Sequence, residues 1–127
     1  MTNIQLNPNN QSKKQFDLID RTTNFAIRVI SFVKQMPLDP YTRPIIDQLI
    51  RSGTSIGANY AEADEANSKR DFINKISIAK KETKETRYWL RLIMSTPGLV
   101  KAEAEDLQRE ARELNLIFVA IIRNSKS

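Results

Sequence analysis

Residues 51–67 read RSGTSIGANYAEADEAN, and the choice of fold turns on what the glycines in this run are for. Two glycines, a threonine and two serines within SGTSIGAN look like a loop whose backbone amides cradle a phosphate. Such a loop requires a preceding strand, a GxxxxGK[ST] spacing and a lysine. Here the spacing is GxxxG and no lysine follows. An apolar stripe of helical period, Ile45, Leu49, Ser52, Ile56, Asn59, Ala63 and Ala66, passes straight through the run. Gly53 and Gly57 therefore fall one turn apart on a helix, with Ser52 and Ala61 near the same side. Each glycine costs up to about 1 kcal/mol against alanine in a helix interior, and close approach of a second helix is what offsets that cost. The stretch reads as a packing face.

Working outward, the same periodicity defines three further helices. Upstream, Phe16, Ile19, Thr23, Ala26, Ile30 and Val33 form one stripe, and Leu18, Phe25, Val29, Phe32 and Met36 a second beside it; Pro37 and Pro40 end that helix. The helix around the glycines opens near Pro44, a residue suited to a first turn, and closes at Asn67. Ser68 and Asp71 then stand at capping-box spacing. A third stripe, Phe72, Ile76, Ala79, Thr83, Thr86, Leu90 and Ile93, runs to Pro97-Gly98. The fourth is Val100, Ala104, Leu107, Ala111, Leu114, Phe118 and Ile121. Each helix is about 30 to 40 Å long, and the short connections predict antiparallel neighbours. The expectation is an all-α, up-down-up-down four-helix bundle over residues 13–127, preceded by a disordered polar tail at 1–12.

Composition narrows the chemistry. The 127 residues suit one domain, and no Cys or His occurs, which removes thiol nucleophiles, imidazole bases and the usual zinc ligands. The N-terminal residues lack the basic-then-apolar order of a secretory signal, and no apolar run is long enough to span a membrane. A soluble, cytoplasmic protein is expected. The net charge of +5 is concentrated: residues 68–98 hold eight Lys/Arg against three Asp/Glu, whereas the segments on either side are balanced.

The run RSGTSIGANYAEADEANSKRDFINKISIAKKETKETRYWLRLI resembles the core of the four-helix-bundle proteins called the 23S rRNA-intervening sequence protein family. The matching positions are Ser55, Ile56, Asn59, Glu62, Ser68, Phe72, Lys75, Ile78, Ala79, Glu82, Glu85, Thr86, Trp89 and Leu90, and the close match covers roughly residues 43 to 95. The resemblance implies a homo-oligomer, with a ring-like pentamer as the expected form. Related accessory proteins of diversity-generating retroelements form such rings and contact RNA and a reverse transcriptase.

Two sets of candidate site residues follow. The first, Ser52, Gly53, Ile56, Gly57, Asn59, Glu62, Glu82 and Trp89, is assigned to helix packing or oligomer contacts. If the turn centres near Asn67, Ser52 comes opposite Thr83 and Asn59 opposite Ile76, giving a partly polar middle that sets register. The sharper alternative, a dicarboxylate metal site, needs Glu plus Glu-x-x-His pairs, and the chain has no His. Glu82 is instead expected to pair with Arg51 or Arg87. The second set is basic: Lys80, Lys84, Arg87 and Arg91 follow 4-3-4 spacing and line one stripe, with Lys81 and Tyr88 alongside. Such a stripe can track a nucleic-acid backbone, and Tyr88 can stack on an exposed base. The plainer alternative is a solvated face neutralised by Glu85 and by Glu103, Glu105, Asp106, Glu110 and Glu113 of the last helix. Surplus apolar residues on the first helix, and Leu116, Ile117, Val119 and Ile122 on the last, argue for a further buried surface between copies.

No catalytic, cofactor or metal site is expected. The functional expectation is a non-enzymatic homo-oligomeric scaffold that binds RNA or an RNA-processing protein through the basic helix; the alternative is a structural or protein-binding oligomer without nucleic acid.

Overall fold

The computed structural model describes residues 12–99 and 101–126. Four helices make up the described fold: α1 Ser12–Val33, α2 Arg43–Asp64, α3 Lys69–Ser95 and α4 Ala102–Ser125. Most of the expected tail, and the side chains of Phe16 and Val100, lie outside the described residues.

The helix ends follow local chemistry. After Val33 the chain tightens into i→i+3 turns, with Gln35 N donating to Phe32 O and Met36 N to Val33 O. In the connection to α2, Asp39 Oδ1 accepts from the amides of Tyr41 (2.8 Å) and Thr42 (2.9 Å), and the Thr42 hydroxyl donates to Pro37 O at 2.6 Å. These bonds satisfy backbone groups that no helix reaches and hold the Asp39 carboxyl below its ordinary pKa, the Thr42 amide being the largest cause. Ser68 caps α3 as its position suggested, its Oγ accepting from Asp71 N at 3.0 Å. Beyond α3, Gly98 takes a φ of 89°, a left-handed turn that other residues adopt only with strain.

Cross-helix contacts give the direction of every seam. A Cβ on Gly53 would meet Val29, and one on Gly57 would meet Thr22, so α2 descends as α1 rises. Ser52 reaches Thr86 and Glu62 reaches Lys75 between α2 and α3. Thr83 lies beside Asn115, and Arg87 beside Gln108, between α3 and α4. Arg21 pairs with Glu110 and Arg28 with Glu103, which closes α4 on α1. In each pair the residue numbers run in opposite directions, so neighbouring helices are antiparallel.

The glycines do what their spacing implied. A Cβ on Gly57 would stand 3.0 Å from Thr22 Oγ1, and one on Gly53 would stand 3.1 Å from a Val29 methyl. The α1–α2 approach is tight enough that a methyl group at either position would push Val29 or Thr22 aside by a few tenths of an ångström. This packing is within one chain.

The core stripes of α3 and α4 agree with the periodicity: Ile76, Ala79, Thr83, Thr86, Leu90 and Ile93 face Ala104, Leu107, Ala111, Leu114 and Phe118, all buried, with Phe72 and Ile121 at the margin. On α1 the structure chooses between the two stripes. Leu18, Phe25, Val29, Phe32 and Met36 are buried, joined by Thr22 and Val33, while Thr23 and Ile30 of the other stripe face solvent. On α2, Tyr60 takes an inward place that the stripe did not include. Its ring lies 6.2 Å from that of Phe118, and burial, with Asp64 as a lesser cause, pushes its hydroxyl up to about 12.

The expected register between α2 and α3 is corrected by about one turn. Ser52 meets Thr86, whose Oγ1 donates to Ser52 Oγ at 2.9 Å, rather than Thr83. Thr83 turns instead to α4, its Oγ1 lying 3.2 Å from Asn115 Oδ1 and 2.6 Å from Lys80 O. Asn59 does not join a polar middle opposite Ile76. It is half-buried, and its Nδ2 donates one turn back to Ser55 O at 2.9 Å. The connection, residues 65–68, is centred close to Asn67 as expected, so the offset lies in how α2 and α3 pack along their length, as Glu62–Lys75 and Ser52–Thr86 show.

Candidate nucleic-acid interface

On α3 the core residues take one side and leave the opposite side to solvent. Lys81, Lys84, Tyr88 and Arg91 are exposed there, while Lys80 and Arg87 are partly covered at the edge toward α4. The stripe from Lys80 to Arg91 spans eleven rises of the helix, roughly 16 Å. Long cationic side chains cover apolar surface with their stems and keep their heads in water. Arg87 is partly covered: its backbone carbonyl accepts from Gln108 Nε2 at 3.2 Å, and its Nε is buried without a hydrogen-bond partner.

Most of the carboxylates able to neutralise this face are engaged elsewhere. Glu110 accepts a two-point contact from Arg21, Nε to Oε2 at 2.6 Å and Nη2 to Oε1 at 3.0 Å. Glu103 lies 3.7 Å from Arg28, and Asp106 pairs with Arg109 on its own helix. Glu113 contributes to raising the Arg21 pKa, after the dominant Glu110 hydrogen bond. Thus the acids of α4 look mainly toward α1, and not toward α3 as the plainer alternative had them. Among the described residues, no carboxylate lies within 4.0 Å of Lys80, Lys81, Lys84, Arg87 or Arg91.

Glu82 and Glu85, the two acids in the middle of α3, turn to the other side, toward α2. Arg51 contacts both: Nη1 is 3.4 Å from each oxygen of Glu82, and Nη2 donates to Glu85 Oε2. The Arg51 bond is the first cause holding the Glu85 carboxyl below its ordinary pKa, with Trp89 and Lys81 adding weaker help. Glu82 and Glu85 are therefore two anions bridged by one guanidinium. Among the described residues no group of three potential ligands could hold a metal ion.

Glu85 also accepts from Trp89 Nε1 at 3.4 Å. The Trp89 ring stands edge-on to Tyr88, with centroids 5.0 Å apart and planes at 72°. The remaining packing candidates divide cleanly. Ser52, Gly53 and Ile56 are buried inside the chain, Gly57 abuts Thr22, and Glu62 bridges to Lys75 at 2.9 Å. Sequence reasoning did not single out Gln108 and Asn115, which dock α4 on α3. The available signal was two amides seven residues apart on an otherwise charged flank of α4.

The family model described as 23S rRNA-intervening sequence protein matches residues 14–120. A crystal structure from Bacteroides thetaiotaomicron VPI-5482, of a protein of unknown function from the S23 ribosomal protein family, is similar to this chain. It is 37% identical, with a TM-score of 0.73, and the likeness covers 82% of this chain and 96% of that one. No curated protein matches. With a family match over nearly the whole helical bundle and a solved relative of this likeness, the chain belongs to the 23S rRNA-intervening sequence protein family.

Proposed function

We propose that the protein is a non-enzymatic, homo-oligomeric scaffold of the cytoplasm that binds RNA, or a protein that processes RNA, through the outer face of α3. The observation that carries this reading is the row of cations from Lys80 to Arg91 with no carboxylate among the described residues within ion-pair reach. Cations left to solvent attract phosphates through release of condensed counterions. No helix among the described residues is long and apolar enough to cross a membrane.

Self-association draws on a different surface. Ile27 is 54% exposed and Ile30 42% exposed on the side of α1 left over from the core, and Leu116 is 51% exposed on α4. A second copy of the chain is the proposed cover for these side chains. The pentamer implied by family resemblance would repeat the α3 face around an axis and raise avidity without altering any contact. The non-enzymatic reading rests on the absence of His and Cys and on the pairing of Glu82 and Glu85 with Arg51.

A protein-binding oligomer without nucleic acid is the second reading. Leu38 and Tyr41 favour it, since both project from the braced α1–α2 connection with most of their surface exposed.

Titration of labelled structured RNA into the purified protein at several salt concentrations decides between them. Binding is expected to weaken steeply with salt, and to vanish when Lys80, Lys84 and Arg91 are all changed to Glu while helix content is retained. Absence of binding at low salt would remove the nucleic-acid reading in favour of the second.

A further inference from the structure

We infer that the α3 face takes single-stranded RNA, with an unpaired base stacked on Tyr88 and the flanking phosphates held by Lys84 and Arg91. This rests on the basic face binding RNA at all, and goes further by naming which form of RNA fits.

The placement of Tyr88 is the starting point. Lys84 precedes it by four residues and Arg91 follows by three, so both are its neighbours on the helix surface, roughly 5–6 Å away between Cβ atoms. The row therefore reads cation, aromatic ring, cation. Tyr88 is 52% exposed, and among the described residues no carboxylate pairs with the cations beside it. A tyrosine on a bare helix would lose rotamer freedom when a base stacked on it. Here the ring is already braced edge-on by Trp89 at 5.0 Å; Trp89 donates to Glu85, and Glu85 is held by Arg51 from α2. Bracing of this kind lowers the ordering cost of binding.

An A-form duplex fits this row poorly. Its bases are stacked and paired, and its major groove is too deep and narrow for side chains to enter. A duplex could meet the lysines through its phosphates but would leave the Tyr88 ring without a stacking partner. A single strand satisfies both features, since every unpaired base offers a face to an aromatic ring and its backbone follows a line of positive charge.

The chain contains a built-in reporter, because Trp89 is its only tryptophan. We would titrate the full-length protein with a mixed-sequence RNA strand of about ten nucleotides. The same RNA as a duplex and the corresponding DNA strand serve as comparisons, with anisotropy of the labelled nucleic acid and Trp89 emission both followed. The RNA strand should bind more tightly than its duplex and change the Trp89 emission. Tyr88→Ala should weaken strand binding about five- to hundredfold, and Tyr88→Phe should stay within about threefold of the parent. Equal affinity of Tyr88→Ala and the parent would overturn the stacking, as would tighter binding of the duplex. In either case, loss of binding on reversing Lys80, Lys84 and Arg91 to Glu would leave the basic-face reading standing. No binding of any nucleic acid by the parent protein would overturn both. A DNA strand bound tenfold more tightly than RNA would overturn the choice of RNA.

Discussion

The α4–α1 seam and the outer face of α3 are built from the same residue types, yet they have opposite fates. On the seam, Arg21 and Arg28 find Glu110 and Glu103 across a helix boundary. On α3, five cations stand in a row with no acid in reach among the described residues. The acids of α4 are numerous enough to serve either neighbour; their position around the α4 axis sends most of them to α1. Charge balance along a sequence thus says little about charge balance on a face. The seam uses its charges to join two helices, and the α3 face keeps its charges for solvent or a partner.

The strongest challenge to this contrast concerns what holds α1. If its α2 side is set by close packing, Gly57→Leu should lower stability by about 1–3 kcal/mol or more, since the new side chain must displace Thr22. Chemical denaturation followed by circular dichroism measures this, and an unchanged midpoint would mean the α1–α2 approach is looser than described. Because Gly57 packs within the chain, a fall in particle mass is expected only as a consequence of lost folding.

A smaller effect separates the two charged surfaces. Glu110→Ala removes both bonds to Arg21 and should cost about 1 kcal/mol, whereas Lys84→Ala with Arg91→Ala should leave stability within about 0.5 kcal/mol of the parent. A comparable loss in both variants would show that the α3 cations have structural partners after all.

The smallest effect is in the acid limb of stability. The Glu85 carboxyl is held below its ordinary value, first by Arg51. A carboxylate with a depressed folded-state pKa adds stability above its unfolded pKa, and that stability disappears as pH falls through the folded value. Both partners are substantially exposed, so the contribution is expected to be below about 1 kcal/mol. Glu85→Gln should therefore narrow its stability gap to the parent as pH drops below the usual glutamate range. A gap independent of pH would assign the loss to packing.

Much of this was legible from residue order. The periodicity placed four helices, the core positions of α3 and α4 almost residue by residue, and the Ser68 cap. It also placed Lys80, Lys84, Arg87 and Arg91 on one stripe, because side-chain direction around a single helix depends only on spacing. The glycines of α2 were legible as a close approach because their helix cost demands a reason.

What only the tertiary structure decided involves two helices at once. Spacing leaves α1 with two adjacent apolar stripes, and only the position of α2 and α4 buries the one containing Phe25 and Val29. The one-turn shift that joins Ser52 to Thr86 depends on how α2 and α3 pack along their length, since the connection between them is centred near Asn67 as expected. The pairing of α4 acids with α1 depends on how α4 is rotated against both its neighbours, a choice made by the buried Leu107, Leu114 and Phe118 as a group. Local sequence determines an angle around one axis; packing determines which axis stands on each side of it.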